Sequence, residues 1–158
     1  MIKWAENDKV TVSFDDTPHV SIRYVLPSMT DQEIKSIKKY PFVNKKKLKV
    51  QIENKTNTYS YSFDIPKGYC FDGASIPWLF RRIIGAPTDN SFLIAALVHD
   101  VLCENHDYID NNRQLSSDVF NVLLETSKVN KFKRYLMYHS VNTFQAWFGD
   151  WGIEYGQT

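Results

Sequence analysis

Leu48-Lys49-Val50-Gln51-Ile52-Glu53, and later Phe92-Leu93-Ile94-Ala95-Ala96-Leu97-Val98-His99-Asp100, are the two stretches whose contrast decides the fold. In the first, apolar and polar residues alternate, so Leu48, Val50 and Ile52 share one face of a half-buried strand. The second opens with seven apolar residues in a row, Phe92 to Val98. With the residues that follow it is long enough for a buried helix and far too short to span a bilayer.

Working outward from the first stretch, Tyr59, Tyr61 and Phe63 repeat the alternation, and the polar loop Asn54-Lys55-Thr56-Asn57 between the two predicts a hairpin. Residues 9–15 alternate in the same way, as do Val20, Ile22 and Tyr24. Asp15-Asp16-Thr17-Pro18 separates these two segments, which predicts a further hairpin or strand pair. Thr30 with Glu33 three residues on is a capping box, opening a short helix that Pro41 closes. The lysines at 45, 46, 47 and 49 read as solvated, edge-strand charges that discourage strand-to-strand aggregation.

Working outward from the second stretch, Ser75 can cap, and Pro77 can open, a helix carrying Trp78, Leu79, Phe80, Ile83 and Ile84 up to Gly85. Helices are predicted from Ser91 to about Cys103, from Arg113 to about Ser127, and from Asn130 to about Phe148. The last carries Phe132, Tyr135, Leu136, His139, Thr143 and Trp147 as its stripe. Strands come first and helices later, so the expected fold is α+β. An N-terminal antiparallel sheet of about four strands in hairpins packs on a C-terminal bundle of three or four helices. The expected organisation is a single domain over 1–158, strand-rich over 1–65 and helical over 66–150. In the tail, 151–158, Trp151, Ile153 and Tyr155 are free to dock.

Composition narrows the function classes. Charged residues are 23% and the formal net charge is +1, so no strong field points to nucleic acid. Hydrophobic residues are 43%, which argues against disorder. No apolar signal region is seen at the N-terminus, and no transmembrane segment is expected. Cys70 and Cys103 form no C-x-x-C pair; they read as free thiols, with a disulfide left open.

The chemistry concentrates around His99. An imidazole at the end of an apolar run is either a satisfied core group or a general base with a pKa suited to activating water. Asp118, on the next helix, is the candidate to orient it. Asp100 and Asp72 are candidate metal ligands, and a divalent ion such as calcium is the cofactor such oxygens would suit. His99 and Asp100 diverge by about 100° on a helix and serve different partners. Arg113 is expected to pair with Asp100 or Asp72, or else to clamp an anion. Ser75 and His139 complete the set in structural or anion-binding roles, His139 being the remote further ligand that zinc would need. His106 sits in a polar loop and reads as solvated. No G-x-S-x-G, P-loop, G-x-G-x-x-G or H-E-x-x-H motif is present.

Several of these residues resemble a known family. Asp72-Gly73-Ala74-Ser75-Ile76-Pro77, Gly85, Pro87, Ala95-Ala96-Leu97-Val98-His99-Asp100, Arg113, Asp118 with Phe120, Tyr135-Leu136-Met137-Tyr138 and Phe148-Gly149 resemble domain of unknown function 1353. The resemblance runs over roughly residues 60–150. The family usually has Tyr where Cys103 stands and Ala where Ser117 stands. It is common in bacteriophages and prophages, so the resemblance implies a phage setting rather than a reaction; the expectation preferred within that setting is a virion-associated tail or head accessory protein. Its partners would then be other virion proteins and its location the virion or host cytoplasm. A more distant similarity is to phospholipases A-two. By that analogy His99 is the base, Asp100 a calcium ligand and Asp118 the partner of the histidine. The implied activity is metal-assisted hydrolysis of a lipid or cell-envelope ester or amide. Those phospholipases are usually disulfide-rich, and this chain has two cysteines.

Overall fold

The computed structural model describes residues 1–72, 90–126 and 129–148, with side chains except at 90–91 and 144–148. The helix expected after Pro77, its Ser75 cap and the docking of the tail lie outside the described residues. What is described is α+β: seven strands in two antiparallel sheets, followed after one short early helix by a helical half.

The larger sheet has the order β1 (Ile2–Glu6), β2 (Val10–Phe14), β5 (Leu48–Asn54), β6 (Tyr59–Ile65). The expected β5–β6 hairpin forms, with Val50 opposite Phe63 and Leu48 opposite Ile65. Thr58 takes the left-handed conformation that turns the chain between them. Alternation delivers one apolar face: Val10, Val12, Phe14, Leu48, Val50, Ile52, Phe63 and Ile65 are all buried. The smaller sheet orders β3 (Val20–Ile22), β4 (Phe42–Asn44) and β7 (Cys70–Phe71).

The first hairpin is a correction. Segments 9–15 and 20–24 do not pair. β2 lies between β1 and β5, so both its edges are already hydrogen-bonded. Asp15 extends the β2–β5 ladder, its backbone N–H donating to the Lys49 carbonyl at 3.1 Å and its Oδ1 accepting from the Lys49 N–H at 2.8 Å. The chain then leaves this sheet, and β3 pairs with β4 in the other. The lysines are also corrected in part. β5 is an interior strand, so Lys49 stands on its solvent face and not at an edge, while Lys46 pairs with Asp16 at 2.6 Å and Lys47 with Asp64 at 3.2 Å.

Helix α1 (Asp31–Lys39) has the predicted capping box. The Glu33 N–H donates to Thr30 Oγ1 at 3.3 Å and the Thr30 N–H donates to Glu33 Oε2 at 2.7 Å. Only Ile37 is buried along it, so capping and the Arg23 Nη1–Tyr40 carbonyl bond of 3.0 Å hold it more than packing does. Helix α2 (Asn90–Glu104) is buried on every side from Phe92 to Leu102. A 3-10 turn, His106–Ile109, carries Tyr108, whose ring stacks on Phe63 of β6. Helix α3 (Arg113–Thr126) joins the layers: it packs on β1 and β2, on α2, and on α4 (Lys131–Phe148).

Candidate functional site

His99 and Cys103 lie four residues apart on α2 and therefore on one face. Cys103 Sγ sits 3.6 Å from His99 Nε2 and 3.8 Å from Nδ1. The imidazole also meets the Phe120 ring, centroids 5.0 Å apart, and His99 is 1% exposed. Asp100 follows, buried, with Oδ1 3.9 Å from His99 Nδ1, too long for a hydrogen bond.

Asp118 does not meet His99. Positions 118 and 120 stand about 200° apart around α3, so the face that brings Phe120 to His99 turns Asp118 away. Its Oδ1 accepts from the Tyr138 hydroxyl at 3.2 Å and Gln114 Nε2 at 3.3 Å, and Lys9 Nζ lies 3.8 Å away. Asp118 thus ties α3 to α4 and to the β1–β2 turn. Burial, and after it the Asp118 charge, pushes the Tyr138 hydroxyl pKa up.

Arg113 reaches α4, its Nη1 donating to the Asn142 carbonyl at 3.1 Å and to Asn142 Oδ1 at 3.2 Å. Ser117 Oγ donates to the same Oδ1 at 3.1 Å. Arg113 thus spans the α3–α4 seam. His139 lies far round α4, exposed, its ring 4.3 Å from Tyr135 and 5.2 Å from Tyr138 between centroids. His106 is half-buried rather than solvated and pairs with Asn111 Oδ1. Asp72 follows β7, half-buried. Among the described residues no group of three or more His, Cys, Asp or Glu is arranged to hold a metal ion. Cys70 and Cys103 are free thiols.

Sequence reasoning missed Tyr69. Its hydroxyl donates to Glu104 Oε2 at 2.6 Å, joining the turn before β7 to the last residue of α2. Burial, then the Glu104 hydrogen bond and charge, with Asp100 and Cys103 beyond, raises its pKa far above the ordinary tyrosine value. No local signal marks this contact, because 35 residues separate the partners. A neutral form favoured by folding stabilises below the unfolded pKa, near 10, and that contribution is lost as pH rises through the folded pKa. Tyr69→Phe is therefore expected to cost about 1 kcal/mol at pH 8. The gap to the parent should close above pH 10, where the parent alone carries the penalty. Urea unfolding at both pH values measures this, and a gap that stays constant would refute it.

The family model described as Protein of unknown function (DUF1353) matches residues 47–141. That range covers β5 to β7, α2, α3 and the first part of α4, and leaves out β1 to β4 and α1. Two proteins of Sinorhizobium fredii (strain NBRC 101917 / NGR234), both called uncharacterized, are similar. Uncharacterized protein y4jT is 32% identical over 90 residues, 57% of this chain and 25% of that protein. Uncharacterized protein y4iH is 31% identical over 80 residues, 49% of this chain and 31% of that protein. The matched region is thus a quarter to a third of the length of these relatives. No solved structure matches. With the matched range covering more than half of the residues and reaching from the central strand of the sheet through the His99 cluster to α4, the chain belongs to the DUF1353 family.

Proposed function

We propose that this chain is a non-enzymatic, virion-associated component of a bacteriophage, a tail or head accessory whose partners are other virion proteins. The phage setting is what the family resemblance implies. The non-enzymatic half rests on one observation: His99 is buried against Phe120 and Cys103, while Asp118 bonds away from it on α3. A general base needs reach to a substrate proton, and packing denies His99 that reach. In this reading the buried polar groups fix how α2, α3 and α4 seat on one another.

Two measurements test it. Mass spectrometry of gradient-purified particles of a phage encoding this chain should find it at a fixed ratio to the major structural proteins, and its absence from the particles would sink the virion role. His99→Ala should lower stability, while the parent hydrolyses lipid and short-chain esters no faster than buffer does.

The second reading is the metal-assisted hydrolase. It draws on the buried His99-Asp100 pair at the end of the apolar run, with His99 as base and Asp100 as metal ligand. An ester hydrolysis that the parent catalyses and a stably folded His99→Ala variant loses would establish it in place of the first.

A further inference from the structure

Helix α4 is apolar on two sides. Met137 and Val141 face inward and are buried with Ser140. Most of the stripe read from the sequence points outward. Phe132 is 64% exposed, Tyr135 is 61% exposed, His139 and Thr143 are exposed, and Leu136 is half-buried. At about 100° per residue these five fall within about 100° of arc, so they form one continuous band along the helix. Single exposed apolar residues need no explanation, but two exposed rings, Phe132 and Tyr135, aligned with His139 in one band mark a contact surface.

The charges say what it contacts. Lys131 and Lys133, both exposed, stand about 100° to either side of Phe132 and flank the band. Arg134 follows, half-buried. From Val129 to Phe148 there is no aspartate or glutamate, although the whole chain is nearly neutral; Glu125, near the end of α3, is the nearest acid before it. Aromatic rings in a stripe with lysines on both flanks suit the boundary between headgroups and acyl chains. There the rings enter and the ammonium groups remain with phosphate. No helix of the described residues is long and apolar enough to cross a membrane, so the mode is lying on the surface.

We propose that the Phe132–Tyr135–His139 face of α4, with Lys131 and Lys133, docks on an anionic phospholipid surface. A protein surface meeting this face would be expected to supply acidic groups at two fixed points; a bilayer rich in anionic lipid supplies them everywhere.

The test is vesicle co-sedimentation of the full chain. Binding is expected to vesicles of phosphatidylcholine mixed with phosphatidylglycerol, not to phosphatidylcholine alone, and to weaken with salt. Lys131→Glu and Lys133→Glu should each reduce partitioning by about fivefold or more. Phe132→Ala with Tyr135→Ala should reduce it by at least about tenfold. Both rings are exposed, so this double variant should keep the parent's circular dichroism and melting temperature. Failure to bind the anionic vesicles at low salt overturns the proposal, as does a folded double variant that binds like the parent. A dimer dissociated by the double substitution, or a nucleic-acid complex formed where vesicles are ignored, would reassign the face and equally overturn it.

Discussion

Phe120→Ala is expected to destabilise the protein by about 3–5 kcal/mol, out of the roughly 5–15 kcal/mol that holds a domain folded. Phe120 is 0% exposed at the seam between α2 and α3. Its ring meets the edge of Phe92 at 6.4 Å and the His99 imidazole at 5.0 Å between centroids. Truncation removes the transfer free energy of the ring and both ring contacts. It also leaves a void that helices packed on each other cannot close. For a chain of this size the melting temperature should fall by roughly 6–20 °C, at about 2–4 °C per kcal/mol. Phe132→Ala is the matched control, the same chemical change at an exposed position, expected within about 0.5 kcal/mol of the parent. Thermal and urea unfolding of both variants measures the contrast, and equal losses at the two positions would refute the packing described here.

Asn44→Ala is expected to cost about 1–3 kcal/mol, above what a surface asparagine contributes. Asn44 is fully buried at the end of β4. Its Nδ2 donates to the Lys46 carbonyl at 2.7 Å and to the Pro66 carbonyl at 3.1 Å. Its backbone N–H donates to the Tyr69 carbonyl and its own carbonyl accepts from the Gly68 N–H, each at 2.8 Å. One residue thus joins the small sheet to the chain entering β5 and to the turn that leaves β6. Its Oδ1 is buried and accepts from none of the described residues, so the two donated bonds carry what the side chain contributes. Alanine removes both donated bonds and leaves the Pro66 carbonyl with the Tyr69 N–H alone, at 3.3 Å. Asn44→Asp should be worse, because it removes the donors and puts a carboxylate against two carbonyl oxygens. Its loss should shrink as pH falls and the carboxyl takes up a proton. An aspartate variant as stable as the alanine one at neutral pH would show that these bonds do not carry the junction.

What could be read along the chain was what neighbours within a few residues decide. The alternation of Leu48, Val50 and Ile52, the Thr30–Glu33 capping box and the apolar run from Phe92 are of this kind. The structure carries all three, with the α2 and α3 boundaries close to those expected. The candidate site was legible as residue types and not as an arrangement. His99 was marked by its apolar surroundings, but its contacts are Cys103 and Phe120 and not Asp118. Nothing in the spacing of His99 and Asp118 reveals the rotation of α3 about its own axis.

By itself, then, the sequence determined the α+β order, the period of each well-marked element and the segments able to bury an apolar face. Tertiary structure alone decided which segments pair and which faces turn inward. β2 does not pair with β3, because β1 and β5 occupy both its edges and β3 joins β4 instead. α4 buries Met137 and Val141 and leaves Phe132 and Tyr135 outside, although either stripe has helical spacing. The physical reason is the same in both cases. Secondary structure follows from interactions a few residues long, whereas pairing and facing follow from competition among distant segments for one limited buried surface.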